Sequence, residues 1–167
     1  GLFMRNIPFS PPDISEEEIL AVADTLRSGW ITTGPKTKQF EKEITEYTGC
    51  SGTACLSSAT AALECTLRIL GIGEGDEVIV PAYTYTATAS AAIHAGAKVI
   101  FIDSQKDSPE MDYDRMEAAI TEKTKAIVAV DLGGVICDYD RIYQAVERKK
   151  HLFKPNGRIQ QALGRVA

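Results

Sequence analysis

The sequence predicts an α/β fold in which helices cover a mostly parallel sheet. Short apolar runs, such as EVIV at 77–80 and KVIFI at 98–102, alternate with helical patterns at intervals of roughly two dozen residues. Glycines stand where helices should end, as at Gly71 and Gly96. A strand-helix-strand rhythm of this kind forms right-handed crossovers, which place successive strands parallel to one another.

The alternation occupies the chain from residue 50 onward. Short apolar runs predict four strands, at 53–56, 77–80, 98–102 and 125–130. A helical pattern follows each run, at about 60–70, 86–95, 113–121 and 139–150. Val166 and Ala167 are predicted to begin one further buried strand.

The first 49 residues differ, because two helical patterns occur there without a preceding strand. The first pattern begins with a capping box, Ser15 and Glu18, and ends at Gly29. The second also ends at a glycine. We therefore expect a helical arm with a turn-rich loop at 1–49, and the first, incomplete part of an α/β domain at 50–167.

Charge and apolar patterning argue against several classes of partner. A formal net charge of −5 disfavours binding to nucleic acid or to an anionic membrane surface. No run of about 18 apolar residues occurs, and the N-terminus lacks the pattern of a signal peptide. We expect a cytoplasmic protein with no membrane contact.

The four cysteines, Cys50, Cys55, Cys65 and Cys137, lack the paired spacing of a zinc site. Only two histidines accompany them, so no metal motif can be assembled locally. We expect reduced thiols packed in the core.

Functional residues of an open α/β sheet are expected where each strand turns into a helix, beyond the carboxyl ends of the strands. At the first such corner, Ser57, Ser58, Ala59 and Thr60 lead into a helix. Small side chains let a ligand approach the backbone, and the free amides of a helix N-terminus favour an anion such as phosphate. The alternative is that Ser58 or Thr60 only caps the helix.

The second corner, VPAYTYTATASAA, places Tyr83 and Tyr85 just after the strand at 77–80. If the chain stays extended, the two rings point the same way, and either ring can lie against a flat heteroaromatic ligand. Packing in the core or in an interface is the alternative for each ring.

The third corner, VDLGGVICDYD, places Asp131 at the end of a strand, and Gly133–Gly134 permits a tight turn after it. Asp131 is a candidate ligand contact, whereas Asp138 is expected to cap the following helix. The stretch GIGEGD at 71–76 follows a helix and precedes a strand, the reverse of a dinucleotide-binding fingerprint, so it predicts a turn.

Three blocks of the sequence resemble one known family. GWITTGPKTKQFEKEITEYTG, the stretch from Ser57 to Asp103, and AAITEKTKAIVAVDLGG followed by CDYDRI resemble, in order and spacing, the DegT/StrS-type nucleotide-sugar aminotransferases. The resemblance extends from about Asn6 to Ile142. It implies the fold of the aspartate aminotransferases, fold type I of the PLP-dependent transferases, with this chain as part of the large domain. It also implies the cofactor pyridoxal 5′-phosphate (PLP).

The resemblance assigns the cofactor contacts to the first two corners. It implies that the corner Ser58, Ala59 and Thr60 binds the cofactor phosphate. It also implies that Tyr85, and not Tyr83, stacks on the pyridine ring of the cofactor.

Substrate contacts are implied in two other segments. The loop WITTGP at 30–35 matches a segment that lies near the substrate in the family, with Thr33 as its candidate contact. Asp131 is the second candidate, although the family commonly has histidine there, and Gly133 also departs from the family pattern.

The family's Schiff-base lysine, and the aspartate that pairs with the pyridine nitrogen, lie downstream of every block found here. We therefore expect the N-terminal portion of a longer enzyme, without a catalytic residue of its own. The resemblance implies transfer of an amino group from an amino acid, typically glutamate, to a keto-sugar carried on a nucleotide. A homodimer is expected, with a complementary C-terminal polypeptide as a further partner.

Other functions stay open at this point. A relative of these enzymes dehydrates sugars with histidine in place of the lysine. A non-catalytic module that binds a sugar or the cofactor for regulation would keep the phosphate corner. Half of a nucleotide-binding dehydrogenase is disfavoured, because the glycine fingerprint is absent.

Overall fold

The computed structural model describes residues 7–167, and the chain divides after Cys55 into two compact units. In that range the first unit holds two helices, and the second holds a three-stranded sheet with the remaining helices. The domain boundary predicted between residues 49 and 50 stays a prediction.

The helices of the first unit are α1 (Glu16–Arg27) and α2 (Pro35–Thr48). The predicted capping box is present at the start of α1. The Ser15 hydroxyl accepts a hydrogen bond from the Glu17 amide at 3.2 Å, and the Ser15 amide donates to the Glu18 carboxylate at 2.6 Å. Helix α2 begins at a proline, whose missing amide is not needed in a first turn, and ends at a glycine with a φ of 69°.

The strands of the second unit are β1 (Glu77–Pro81), β2 (Lys98–Ile102) and β3 (Thr124–Ile127). Its α-helices are α3 (Ala59–Ile69), α4 (Ala87–His94), α5 (Tyr113–Ala119), α6 (Tyr139–Arg148) and α7 (Arg158–Leu163). All three strands are parallel, in the order β2-β1-β3. This topology confirms the predicted α/β architecture.

One predicted strand is wrong, because residues 53–56 form no strand in the part of the chain described. A strand needs a hydrogen-bonded neighbour, and none of the described strands pairs with this segment. Strand β3 is also shorter than predicted. It ends at Ile127, although the Val128 amide still donates to the Ile79 carbonyl at 2.9 Å.

Strand β1 lies in the centre of the sheet and is buried along its whole length. Val78 and Val80 pack on one face with Leu67 of α3 and with alanines of α4. Ile79 packs on the other face with Met116 of α5 and with residues of α6. Successive strand side chains point to opposite faces, so a strand covered on both sides requires a continuous apolar run like EVIV.

The C-terminal residues lie along the outer edge of β3. The Ala167 amide donates to the Lys125 carbonyl, and the Ala167 carbonyl accepts from the Ile127 amide, both at 3.0 Å. Ala167 therefore bonds to the two residues that flank Ala126. In a parallel pair of strands, one residue bonds in this way to both neighbours of the residue opposite it. Val166 is buried beside them. This is the pairing expected of a strand that begins at Val166.

The cysteines correct one expectation. All four are free thiols, but only Cys137 is buried, whereas Cys50 and Cys65 are exposed. The prediction of core thiols is therefore wrong for those two. Among residues 7–167, no cluster of His, Cys, Asp and Glu side chains is arranged to hold a metal ion. None of the helices in the same range has the length and apolar composition that crossing a membrane requires.

Candidate functional site

The candidate site lies at the carboxyl edge of the parallel sheet. Ala59 at the start of α3 and Ala129 just beyond β3 line one groove, so the N-terminus of α3 lies at that edge. Tyr85 follows β1 and Asp131 follows β3, and parallel strands end at the same edge. The second unit therefore brings Ser58–Thr60, Tyr85 and Asp131 to one edge of the sheet.

The N-terminus of α3 is open to an anion. The Ser58 hydroxyl accepts a hydrogen bond from the Ala61 amide at 3.0 Å, so Ser58 caps the helix. The amides of Ala59 and Thr60 form no hydrogen bond within residues 7–167, since the first amides of a helix lack an intrahelical partner. The first turn carries no acidic side chain. These groups fit a phosphate, and capping does not compete with it because the cap uses a different group.

Two tyrosine rings are open to solvent after β1. Tyr85 is 78% exposed and Tyr83 is 64% exposed, so neither ring packs in the core of the described chain. The chain bends at 82–84, so it does not stay extended between them. After the bend, the Tyr85 carbonyl accepts a hydrogen bond from the Thr88 amide in the first turn of α4, at 3.1 Å. The exposed ring of Tyr85 fits a flat heteroaromatic ligand.

The Asp131 carboxylate is fixed by Cys137, in the loop that follows it, and by Tyr139, the first residue of α6. Its Oδ1 accepts from the Cys137 amide at 2.9 Å, and the Tyr139 hydroxyl lies 3.1 Å from both Oδ1 and Oδ2. These hydrogen bonds favour the ionised form and hold the pKa of Asp131 below its ordinary value, with the Cys137 amide contributing most. Asp131 is therefore an oriented, ionised acceptor.

The glycine pair after Asp131 makes this geometry possible. Gly133 has a φ of 63° and Gly134 a φ of 81°, a region that penalises other side chains. The resulting turn returns the chain so that the Cys137 amide reaches the carboxylate. The prediction for Asp138 is confirmed, because its side chain caps α6 and accepts from the Arg141 amide at 3.0 Å.

Tyr139 is the residue of this site that the sequence did not indicate. It is the first residue of α6 and is half-exposed. Burial, and then its hydrogen bond to Asp131, raise the pKa of the phenol. Its contact with Asp131 depends on the turn at the glycine pair. The pair indicates a turn, but it does not indicate which later residue the turn brings to the carboxylate.

The loop at 30–35 belongs to the first unit and has its own internal structure. The Trp30 indole N–H donates to the Thr33 carbonyl at 3.0 Å. The ring also lies against Gly34, where an added Cβ would come within 2.3 Å of the indole nitrogen. Trp30 therefore closes the loop just before α2. The Thr33 side chain is exposed, and its role as a substrate contact stays a prediction.

An apolar groove of about 540 Å³ runs along the outer edge of β3, between α3 and α6. Its walls are mostly aliphatic, and they include Leu63, Leu67, Val128, Ile142, Val146 and Val166. Asp131 and Tyr85 do not line it. Tyr139 and Ala59 line the groove as well as the candidate site, so the two are continuous.

Comparison with known proteins decides the family. The model of the DegT/DnrJ/EryC1/StrS aminotransferase family matches residues 12–153. The chain belongs to this family. The match includes the helical arm and the sheet, and it confirms the resemblance drawn from the three sequence blocks.

Two relatives of the chain have names that concern sugars. The chain is 46% identical over 144 residues to the UDP-4-amino-4-deoxy-L-arabinose–oxoglutarate aminotransferase of Shewanella sediminis, a match that covers 86% of this chain and 37% of that protein. It is 44% identical to the spore coat polysaccharide biosynthesis protein SpsC of Bacillus subtilis, with 88% and 38% covered. The chain spans less than two-fifths of the length of either relative.

Solved structures confirm the fold. Spr1654 of Streptococcus pneumoniae, which is assigned as a sugar aminotransferase, is 58% identical with a TM-score of 0.94, over 97% of this chain and 41% of that one. Its structures include a PLP form and a PMP form, as expected for a PLP-dependent family. An aminotransferase from Psychrobacter cryohalolentis is 35% identical with a TM-score of 0.79, over 84% of this chain and 36% of that one. The predicted fold class, part of a large domain of the PLP-dependent transferases, is confirmed.

Proposed function

We propose that this chain is the N-terminal portion of a PLP-dependent aminotransferase that moves an amino group from an amino acid to a nucleotide-linked keto-sugar. Two observations support the proposal. The chain belongs to the DegT/DnrJ/EryC1/StrS aminotransferase family, and its α3 N-terminus, Tyr85 and Asp131 lie at one edge of its sheet. The name of the S. sediminis relative includes oxoglutarate. Oxoglutarate is the keto acid that glutamate becomes when it gives up its amino group, which favours glutamate as the donor.

The cofactor phosphate would be held at the N-terminus of α3. The amides of Ala59 and Thr60 are available as donors, and the Thr60 hydroxyl is a further donor in the same turn. The partial positive charge of the helix N-terminus favours the phosphate dianion. Ser58 would act on the helix itself, by keeping the first turn formed.

Tyr85 would support the cofactor ring. A tyrosine face against a pyridine ring contributes stacking energy and keeps water from one side of the ring. PLP itself, when bound, supplies an electron sink for the negative charge that develops beside the amino group. Tyr85 is preferred to Tyr83 on the family resemblance alone, since both rings are exposed.

Asp131 and Thr33 would contact the substrate. An ionised carboxylate accepts hydrogen bonds from the hydroxyl groups of a sugar or from the ammonium group of the donor. The Cys137 amide and the Tyr139 hydroxyl already orient this carboxylate. Thr33 is proposed from the family resemblance of its loop.

The remaining groups of the site would come from outside this chain. The chain spans about two-fifths of the solved structures that it resembles, and we assign none of its residues to proton transfer. We propose that the cofactor-bearing lysine lies in the remainder of the protein, either on the same polypeptide or on a complementary C-terminal polypeptide. A homodimer is proposed on the resemblance alone. The cytoplasmic location stays a prediction.

The test is the visible absorption of the full-length protein after PLP has been added and the excess removed. We expect a retained band that changes when glutamate is added. Tyr85→Ala should weaken PLP binding roughly tenfold, which corresponds to about 1.4 kcal/mol of stacking. Tyr83→Ala is the matched control, because its ring is similarly exposed.

Two outcomes would contradict the proposal. Absence of a retained band in the full-length protein would argue against a PLP enzyme. A retained band with no response to any amino acid would argue against amino transfer and would favour the dehydratase or the regulatory module. Equal losses in the two tyrosine variants would overturn only the assignment of Tyr85.

A further inference from the structure

The Tyr139 phenol contacts the Asp131 carboxylate in a way that the local structure does not require. The loop after Asp131 is already closed by Cys137, whose amide donates to Oδ1 at 2.9 Å and whose thiol donates to the Val130 carbonyl at 3.3 Å. Helix α6 is already capped by Asp138. Within residues 7–167, Asp131 is the one hydrogen-bond partner of the Tyr139 hydroxyl.

This bond contributes orientation more than stability. Both residues are exposed, and a hydrogen bond at a wet surface gives little net free energy because water competes for the same groups. Fixing the tyrosine and the carboxylate in one geometry also costs side-chain entropy. What the pair gains is a carboxylate held in a defined position at the carboxyl edge of the sheet.

The carboxylate keeps capacity for a further donor. Oδ1 is within hydrogen-bond distance of the Cys137 amide and of the Tyr139 hydroxyl, whereas Oδ2 is within that distance of the hydroxyl alone. Each carboxylate oxygen can accept about two hydrogen bonds. In the described part of the chain, no cation forms an ion pair with Asp131. Its negative charge is therefore available to a ligand.

We propose that Tyr139 is a positioning residue for the substrate. Its hydroxyl holds the Asp131 carboxylate so that Oδ2 can accept a hydrogen bond from a sugar hydroxyl or from an ammonium group. Tyr139 acts through Asp131 and does not itself touch the reacting atoms. This inference rests on the proposed function, because it concerns how the same site binds its substrate.

The first test measures the pair in the full-length protein by carboxyl and phenol NMR titration. Tyr139→Phe removes one donor, so we expect the pKa of Asp131 to rise. Conversely, Asp131→Asn should lower the pKa of Tyr139. Tyr143→Phe is the matched control, because Tyr143 lies one turn further along α6, is also half-exposed, and stacks with Arg165 at 4.8 Å. A pKa of Asp131 that is equal in the wild type and in Tyr139→Phe would overturn the proposal.

The second test uses the full-length enzyme. Tyr139→Phe should raise the KM for the nucleotide-sugar roughly three- to tenfold, the effect of one lost hydrogen bond, while kcat and the retained PLP absorption change little. Tyr143→Phe should keep the wild-type KM. An active enzyme whose Tyr139→Phe variant keeps the wild-type KM overturns this inference alone. A full-length protein without amino transfer overturns the proposed function, and with it the substrate role of Tyr139.

Discussion

At the level of single residues, different groups at the N-terminus of α3 serve the helix and a ligand. Ser58 uses its hydroxyl for the helix, and the amides of Ala59 and Thr60 stay available. A similar division occurs after β3, where Asp138 caps α6 while Asp131 keeps acceptor capacity. One polar residue at each corner thus serves the fold and leaves its neighbours for a ligand.

Removal of the Ser58 cap at the start of α3 should cause a measurable loss of stability. Ser58→Ala removes the acceptor of the Ala61 amide, so the free energy of unfolding should fall by about 1 kcal/mol. Ser57→Ala is the control, because Ser57 precedes the cap and is exposed. Urea denaturation of both variants provides the measurement. A similar loss in both would show that the cap does not stabilise α3.

The ionisation of Glu110 should make the stability of the fold depend on pH. The Tyr113 hydroxyl donates to its carboxylate at 2.5 Å, and this bond, followed by one from Ser108, lowers the pKa of Glu110. The folded pKa lies below the unfolded value, so this contribution is complete above the ordinary value of 4.5 and is lost as pH falls through the folded pKa.

Urea denaturation between neutral pH and pH values below 4.5 measures this contribution. The wild type should lose stability on acidification, and Glu110→Gln should lose less, because its side chain does not titrate. Glu74→Gln, at an exposed turn position, is the control and should behave like the wild type. An acid loss in Glu110→Gln as large as that of the wild type would contradict the expectation.

At the level of elements, buried polar groups attach the segment around α7 to the rest of the second unit. Gln160 is 2% exposed. Its amide nitrogen donates to the Leu70 carbonyl at 2.9 Å, and its carbonyl accepts from the Asn156 amide at 2.8 Å. The Asn156 side chain donates to buried Asp76 at 2.5 Å. These bonds connect α7 to the end of α3 and the start of β1.

Gln160→Ala should therefore lower the free energy of unfolding by about 1–3 kcal/mol, because it leaves buried groups without partners. The Ala167 amide, which is bonded to Lys125, should also exchange its hydrogen faster. Gln161→Ala is the matched control, because that side chain is exposed. Urea denaturation and hydrogen exchange are the measurements. Unchanged exchange at Ala167 would mean that α7 does not hold the C-terminal residues in place.

The secondary-structure elements also show which parts of the fold could be predicted from the sequence. Local patterns were sufficient for the capping box at Ser15 and for the buried run of β1, because adjacent residues determine both. They failed at 53–56, because a strand depends on a distant partner that local composition does not reveal. They also missed the contact of Tyr139 with Asp131, because the glycine pair predicts a turn but not which residue eight positions along the chain the turn brings to the carboxylate.

At the level of the whole molecule, the groove beside β3 is an apolar surface open to solvent. It is lined by side chains of α3 and α6, with the edge of β3 as its floor. The Lys125 carbonyl and the Ile127 amide on that edge are bonded to Ala167, so the surface that the groove offers consists mainly of apolar side chains. Such a surface should bind apolar probes when this chain is studied by itself.

A fluorescent apolar dye tests that expectation. Thr66→Arg places a charge in the groove, so dye fluorescence should fall several-fold relative to the wild type. Cys65→Arg is the matched control, since Cys65 is an exposed neighbour on α3 that does not line the groove. Circular dichroism should show equal helix content in both variants. Equal dye fluorescence in both would place the dye at another surface.

The indole that closes the loop at 30–35 is also the only tryptophan of the chain. Its intrinsic emission therefore reports on one loop alone, without any added label. Trp30 is 58% exposed and bonded to the Thr33 carbonyl, so opening of the loop should shift its emission to longer wavelength, and burial by a bound sugar should shift it the other way. This chain thus carries its own optical reporter at the segment proposed to meet the substrate.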